Sequence, residues 1–579
     1  MSSNSTSVSP PGPRLAAAPP SSWLLPASII LLGIILFGLR LAAPPNLLDQ
    51  DQERPASYVL DVVKNGHWVY QRDWTGDITS KPPLYTWLCA LTALACGQVN
   101  LLALYLPGAL AALGTALLVL QAGNRVFGPR AGLFAALATL LTTAGLKEFG
   151  LARTDGVFAF TVTAAALLAF RAWQRGGGWA WFWALAAAAT LTKGPLGLLF
   201  AANGLLAAWW ERKSPRPHPL RGSQLPGVGV FLLLAGGWFL LAYWQAGPPL
   251  IAKMLGRELL AHAVSDGRRH YPGMLFYQPP LYYLGRAAPW SLAAFYGLWR
   301  LCKYPAVEDL PRRFERFLFC WFVVGLVILS IAPHQRADLL WPLLPAGALI
   351  AGRELARLTQ NLRWPVLGLA LAVLALFAVA GFGFYYFGAH ARHPLVQQTV
   401  ALKEFAKQIG PRSTEAYPLT HVDDPMTTQI YLNTLRPPVS FERAVELLRG
   451  PAAAFVVVSN LTKLESFRLR SDPTVYELLP LGVGQRRPAH LVSNRPSLEL
   501  PDSFAFCVGP LLIEGEGVEI LKATQHEIVV EARNDRGTVK IVNQSAEDRT
   551  VRLVSVYRGN RASKKRTLTA GEAWSLKEW

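Results

Sequence analysis

Between Trp23 and Phe387 the chain is built from apolar runs, many of them about 18 or more residues long, separated by short polar turns. Runs of that length in succession have no place in a water-soluble core. They restrict this part of the chain to helices that cross a bilayer, where each backbone polar group is satisfied within its own helix. Composition agrees, with 52% of the 579 residues hydrophobic and 16% charged. The first 22 residues, rich in Ser, Pro and Ala, read as a disordered tail. The run from Trp23 to Leu41 is longer than a signal-peptide core and reads as an uncleaved anchor.

After about Ala389 charges of both signs return and no run is long enough to span, so residues 389–579 read as a soluble domain. Helical patterns over Leu395–Gln408 and Phe441–Leu448 and a strand-like run at Ala453–Val458 suggest an α/β unit to about residue 495. Alternation over Glu527–Ala532, Thr538–Val542 and Thr550–Tyr557 suggests a β-rich end resembling a sandwich. The expected fold is an α-helical polytopic membrane bundle over residues 23–388, with about 11 to 13 crossings, plus a C-terminal soluble mixed α/β domain.

The net charge of +19 does not point to nucleic acid, because the excess sits in short clusters between apolar segments. These are Arg125/Arg130, Arg171/Arg175, Arg212/Lys213/Arg216/Arg221, Lys303/Arg312/Arg313/Arg316 and Arg353/Arg357/Arg363. Cytoplasmic clusters of this kind leave the loop from Asp49 to Lys81, the turns near Asp155, Lys193 and Arg336, and the segment 247–289 on the outer side of a cell inner membrane. The N-terminus is then cytoplasmic and the tail domain external or periplasmic. This bookkeeping requires Pro82–Cys96, short and opened by two prolines, to lie at the interface within the first external loop, residues 44–99. The five cysteines are scattered, without disulfide or zinc spacing.

The unusual polar residues of the apolar half all fall on that outer side: Asp49, Asp51, Glu53, Arg54, Lys81, Arg153, Asp155, Lys193, Arg257, Glu258, His270 and Arg336. Carboxylates beside cations at a membrane face suit transfer from a lipid phosphate: a base takes the proton of an incoming hydroxyl, and Arg and Lys stabilise the charge left on the phosphate. Neither a P-loop nor a dinucleotide fingerprint occurs.

The run Asp51-Gln-Glu-Arg54, then Asn65-Gly66-His67-Trp68, then Lys81-Pro82-Pro83-Leu84 resembles the first external loop of the aminoarabinose transferase and protein O-mannosyltransferase-like enzymes. These are GT-C glycosyltransferases that use polyprenyl-phosphate sugars. Ala152-Arg153-Thr154-Asp155, Leu191-Thr192-Lys193-Gly194-Pro195, Pro289-Trp290-Ser291 and Pro342-Leu-Leu-Pro345 extend the resemblance over about residues 23 to 390. It implies an inverting transferase with a polyprenyl-phosphate sugar donor, a hydroxyl-bearing lipid, glycan or protein acceptor, and contact with membrane lipids. Asp51 and Asp155 are then the catalytic candidates, and Arg54, Lys81, Arg153, Lys193, Arg257, His270 and Arg336 the substrate-binding ones. No metal ligand set is assigned, and a divalent metal stays open as a cofactor. The chain departs from the family form at Gln52 and Ser80, where acids are usual, at Pro55 after Arg54, and at His334-Gln335-Arg336.

Ordinary structural alternatives stand beside each role. Asp51 could cap a helix starting near Ala56, and Asp155 one starting near Gly156. Lys81 could snorkel from an interfacial helix, and Lys193 could be a loop charge before Gly194-Pro195. Arg257 and His270 could belong to a solvated loop, a lone histidine being a poor metal site. Two rival functions are a transporter or flippase of a lipid-linked or anionic solute, and a non-catalytic relative. The transporter reading lacks repeated halves or charges near the bilayer midplane.

Overall fold

The computed structural model describes residues 23–575 except 50, 74, 215, 255–274, 333–334, 410–417, 423–425, 437, 460–461, 482–488, 498–502, 509–510, 517, 524–527, 533–538, 545–546 and 558–559. Helix α1 (Leu24–Ala42) is an almost unbroken Leu/Ile run with Arg40 in its last turn. A polar loop follows, carrying α2 (Glu53–Asn65) and leading to α3 (Leu84–Cys96). Both end at a left-handed glycine, Gly66 and Gly97, the residue that reaches this conformation without steric cost. Asn100 then caps α4 (Leu101–Phe127), its side chain accepting the Ala103 N–H at 2.9 Å.

Helix α5 (Pro129–Leu140) returns along α4. The two touch at bare glycines: a Cβ on Gly123 would lie 2.6 Å from the Gly132 Cα. The chain breaks at Leu141, and the Thr142 hydroxyl accepts the Gly145 N–H at 3.0 Å to start α6 (Thr143–Lys147), with a bend of 54° between the two segments. The apolar run over 131–147 is therefore a broken pair rather than one straight helix. Next come α7 (Asp155–Arg175), α8 (Trp179–Lys193), α9 (Leu225–Ala246), α10 (Trp290–Lys303), α11 (Asp309–Ile331), α12 (Leu344–Leu358) and α13 (Trp364–Ala389).

Among the described residues seven helices are long and apolar enough to cross a membrane, or eight with the bent pair counted as one span. The larger expected count also included shorter pieces. The helices α8 and α10, of 15 and 14 residues, and a broken helix over Leu196–Glu211 stand where crossings were expected. At 1.5 Å per residue they are shorter than a hydrocarbon layer of about 30 Å. Phe134, Phe170, Trp173, Phe317, Trp321 and Phe322 fill the middle of the bundle.

Charge is sorted to two ends. At one end Glu211, Glu315 and Glu354 are buried against Arg316 (3.0 Å), Arg353 (2.7 Å) and Arg357 (3.0 Å), and Arg130 donates to the carbonyls of Thr359 and Gln360. Asp155, Lys193 and Arg336 stand at the other ends of α7, α8 and α11. Most members of the later basic clusters read from the sequence thus share one end, and Asp51, Arg153, Asp155, Lys193 and Arg336 of the outer-side candidates share the other.

Beyond α13 lie α14 (Pro394–Ile409), strand β1 (Leu419–Val422), α15 (Met426–Leu432), a helix over Phe441–Arg449, and strands β2 (Phe455–Ser459), β3 (Tyr476–Leu481) and β4 (Ala489–Ser493). They form a mixed sheet of order β1-β2-β4-β3 in which only β1 and β2 run parallel. The strands β5 (Ser503–Val508), β6 (Leu511–Glu516), β7 (Val518–Ala523), β8 (Ile528–Ala532), β9 (Lys540–Asn543), β10 (Arg549–Tyr557), β11 (Asn560–Leu568) and β12 (Ala573–Ser575) make two four-stranded sheets, β11-β10-β8-β7 and β12-β9-β6-β5. Period-two burial, as at Val551 and Leu553 flanking Arg552, is the alternation visible in the sequence.

Candidate active site

The loop after α1 turns sharply at Asp51, whose φ of 57° is left-handed. For an L-residue with a side chain this conformation costs about 1 to 2 kcal/mol, least for Asp and Asn, and it persists only where the surroundings fix it. The capping alternative does not apply: α2 starts at Glu53, and its side-chain cap is unused. The Asp51 side chain is instead 84% exposed and faces Arg336, with 3.9 Å between Oδ2 and Nη2.

From there an alternating chain of charges runs inward. Arg336 Nη2 lies 3.8 Å from Asp338 Oδ2, and Arg153 Nη1 donates to the same oxygen at 3.0 Å. Arg153 Nε pairs with Asp155 Oδ2 at 3.1 Å, and Lys193 Nζ donates to Asp155 Oδ1. Asp155 is the first residue of α7, where the positive helix end favours a carboxylate, and its side chain is only 3% exposed. Lys193 ends α8 and lies over the Phe158 ring, 5.3 Å from its centre. Lys81 sits exposed in the turn before α3, within electrostatic reach of Asp155.

The sequence therefore names Asp51, Arg336, Arg153, Asp155 and Lys193 of one connected set, with Lys81 beside it. Arg54 stands apart, 3.6 Å from the buried Asp73, which also accepts from the Thr75 hydroxyl and the N–H groups of Thr75 and Asp77. Lys253 donates to Asp77 and holds that carboxyl below its ordinary pKa. Arg257 and His270 lie outside the described residues.

Two acids were not singled out from sequence. Asp338 joins Arg336 to Arg153 across 185 positions, and nothing local distinguishes it from a solvated loop acid. Glu148 is buried; its Oε2 and the buried Trp341 Nε1 have no partner of hydrogen-bond geometry among the described residues. An acid followed by Phe-Gly inside an apolar stretch was the available signal. Among the described residues no group of three or more His, Cys, Asp or Glu side chains is arranged to hold a metal ion.

Residues 80–236 match the family model described as dolichyl-phosphate-mannose-protein mannosyltransferase. No curated protein sequence matches the chain. Among solved structures, ArnT from Cupriavidus metallidurans bound to undecaprenyl phosphate superposes with a TM-score of 0.63 at 20% identity, over 83% of this chain and 99% of that one. The chain has the GT-C fold. ArnT from the same organism in the apo state gives the same TM-score, identity and coverage. The archaeal oligosaccharyltransferase AglB from Archaeoglobus fulgidus is matched at a TM-score of 0.44 and 13% identity, over 76% of this chain and 69% of that one. The resemblance read from the motifs is borne out by the family model over residues 80–236 and by the fold, and on this GT-C chain the connected charges lie in the loop before α2, at the ends of α7 and α8, and between α11 and α12.

Proposed function

We propose that this chain transfers a sugar from a polyprenyl-phosphate-linked donor to a hydroxyl-bearing lipid, glycan or protein acceptor, with inversion, at the outer face of a cell inner membrane. The observation that supports this best is the continuous line Asp51, Arg336, Asp338, Arg153, Asp155, Lys193 at one end of the bundle. Asp51 is its most exposed member and is the general base. As the acceptor oxygen attacks the anomeric carbon, Asp51 takes the hydroxyl proton and the bond from that carbon to the phosphate oxygen breaks. Arg336, Arg153, Lys193 and Lys81 stabilise the charge left on the phosphate, a leaving group that needs no separate acid. Asp155, with both oxygens engaged, holds Arg153 and Lys193 in place. Arg54 keeps the loop folded through Asp73, and Arg257 and His270, outside the described residues, are candidates for binding the donor phosphate. A polyprenyl phosphate as leaving group is supported by the similar fold of ArnT, which is solved bound to undecaprenyl phosphate. The bundle sits with its N-terminus cytoplasmic and the tail beside the site, outside.

Purified protein in proteoliposomes, given a labelled polyprenyl-phosphate sugar and a membrane-lipid extract, is expected to form a new glycosidic bond. Asp51→Asn should abolish that product while undecaprenyl phosphate still binds. Label that crosses the bilayer without any new glycoside would instead establish a flippase.

A further inference from the structure

Gln52 follows Asp51 and has no part in the reaction described above. Its residue is 0% exposed, and its amide is fully engaged. Nε2 donates to the Asn46 carbonyl at 2.8 Å and to the Asp49 carbonyl at 2.9 Å, while Oε1 accepts the Ala152 N–H at 2.8 Å. The first two bonds tie the turn that ends in the left-handed Asp51. The third crosses to the backbone that continues directly into Arg153 and Asp155.

The turn is also held from behind. Asn46 Oδ1 accepts from Arg40 Nη2 at 2.5 Å and from the Tyr105 hydroxyl at 2.8 Å, and Arg40 Nη1 donates to the Pro44 carbonyl at 3.1 Å. The Arg40 guanidinium lies over the rings of Tyr105 and Tyr386, at 5.3 and 4.8 Å from their centres. Arg40, Asn46, Gln52 and Tyr105 are all buried. Apart from Arg40 Nε, which has no hydrogen-bond partner among the described residues, the groups named here are matched, and such a buried network is stiff because any displacement leaves a donor or acceptor unpaired away from water.

We propose that Gln52 is a positioning residue that fixes the separation between Asp51 and the Arg153, Asp155 and Lys193 cluster, with Arg40 and Asn46 as its footing, and so governs turnover rather than donor binding. The proposal rests on the role given to Asp51 above. It also accounts for the departure from the family form at this position. Two carbonyls and one N–H surround the side chain, and an amide supplies two donors and an acceptor to match them, whereas a carboxylate would keep the bond to the Ala152 N–H but turn its other oxygen, an acceptor, toward both carbonyls. The exchange of acid for amide is then matched to the surroundings of this chain.

Gln52→Met keeps the length and removes all three bonds. With the labelled polyprenyl-phosphate sugar of the transfer assay above, kcat should fall at least about tenfold while the donor KM changes less than about twofold. Hydrogen exchange at the Ala152 amide should quicken at least about tenfold. Gln52→Glu, which retains only the acceptor, should not restore turnover. Tyr105→Phe, which trims the footing without touching Gln52, should lower kcat about threefold and leave undecaprenyl phosphate binding unchanged, and it carries the test if Gln52→Met does not fold. Wild-type turnover in Gln52→Met or Gln52→Glu, or an unaltered Ala152 amide in Gln52→Met, overturns the proposal. Parallel losses of kcat and of undecaprenyl phosphate binding also overturn it, because general disorder would produce them. Asp51→Asn should leave the Ala152 amide protected, so a failure of the role given to Asp51 is read separately from a failure of the bridge.

Discussion

Asp51 and Asp155 are the same side chain under opposite conditions. Asp51 is 84% exposed with one distant partner, so Asp51→Asn should change stability by no more than about 0.5 kcal/mol. Asp155 neutralises two cations that are themselves nearly buried, and Asp155→Asn removes the charge that pairs with both of them. Removing one partner from such a group should cost about 3 kcal/mol, seen as a lower Tm in detergent, along with activity. Equal Tm values for the two variants would contradict this account. Arg153, Asp155, Lys193 and Arg336 were legible because ionisable residues at the ends of apolar helices stand out against their neighbours. Asp338 was not legible, since its importance comes from Arg153, which the fold brings to it from 185 positions away.

The helix pair α5 and α6 shows why some elements were harder to read. Its residues form one apolar run, and Thr142-Thr143 is its one pair of adjacent hydroxyls. The Thr142 cap bends the chain, and the bend delivers Gly150 to the side chain of Arg40. A Cβ at Gly150 would stand 2.2 Å from Arg40 Nε and 2.3 Å from Cγ. Gly150→Ala should therefore destabilise by about 1 to 3 kcal/mol through overpacking, measured by thermal unfolding. Just past α13, burial first and the charge of Arg40 second push the His390 imidazole down to about 4 from 6.5. The folded protein keeps it neutral while the unfolded chain takes up a proton below about pH 6.5. Stability should thus fall as pH drops from about 6.5 toward about 4, by at most about 1.4 kcal/mol per pH unit from this group. His390→Gln should flatten that part of the pH–Tm curve, and an unchanged slope would show that another group is responsible.

At the scale of the whole molecule, the change of composition near residue 389 falls at the end of α13, and of the tail's strands β2, β8, β9 and β10 were visible in the sequence. What the tail touches was not visible, because its contacts are made by ordinary residues. Glu53 Oε1, two positions after Asp51, accepts the Thr427 N–H at 2.7 Å and the Thr427 hydroxyl at 2.8 Å. Asn433 accepts the Val99 N–H at 3.1 Å, and Met426 and Ile430 pack with Ala56, Val59, Leu60 and Tyr85 in one apolar cluster. Helix α15 is thus a wall of the compartment that supports α2, and α2 starts where the candidate base ends. Met426 is 0% exposed, so Met426→Asp puts a carboxylate into that cluster at a cost of several kcal/mol, which separating α15 from α2 would relieve. The expected result is faster protease cleavage within residues 44–66 and lost transfer, with the far end of the bundle unaffected because its Arg and Glu pairs are independent of the tail. Thr427→Val removes only the hydroxyl bond and should show a milder form of the same pattern, about 1 kcal/mol weaker at this contact. If both variants kept residues 44–66 protected and transfer intact, the tail would be a passenger on the bundle, and the packing of Met426 and Ile430 against α2 would have no bearing on how Asp51 is held.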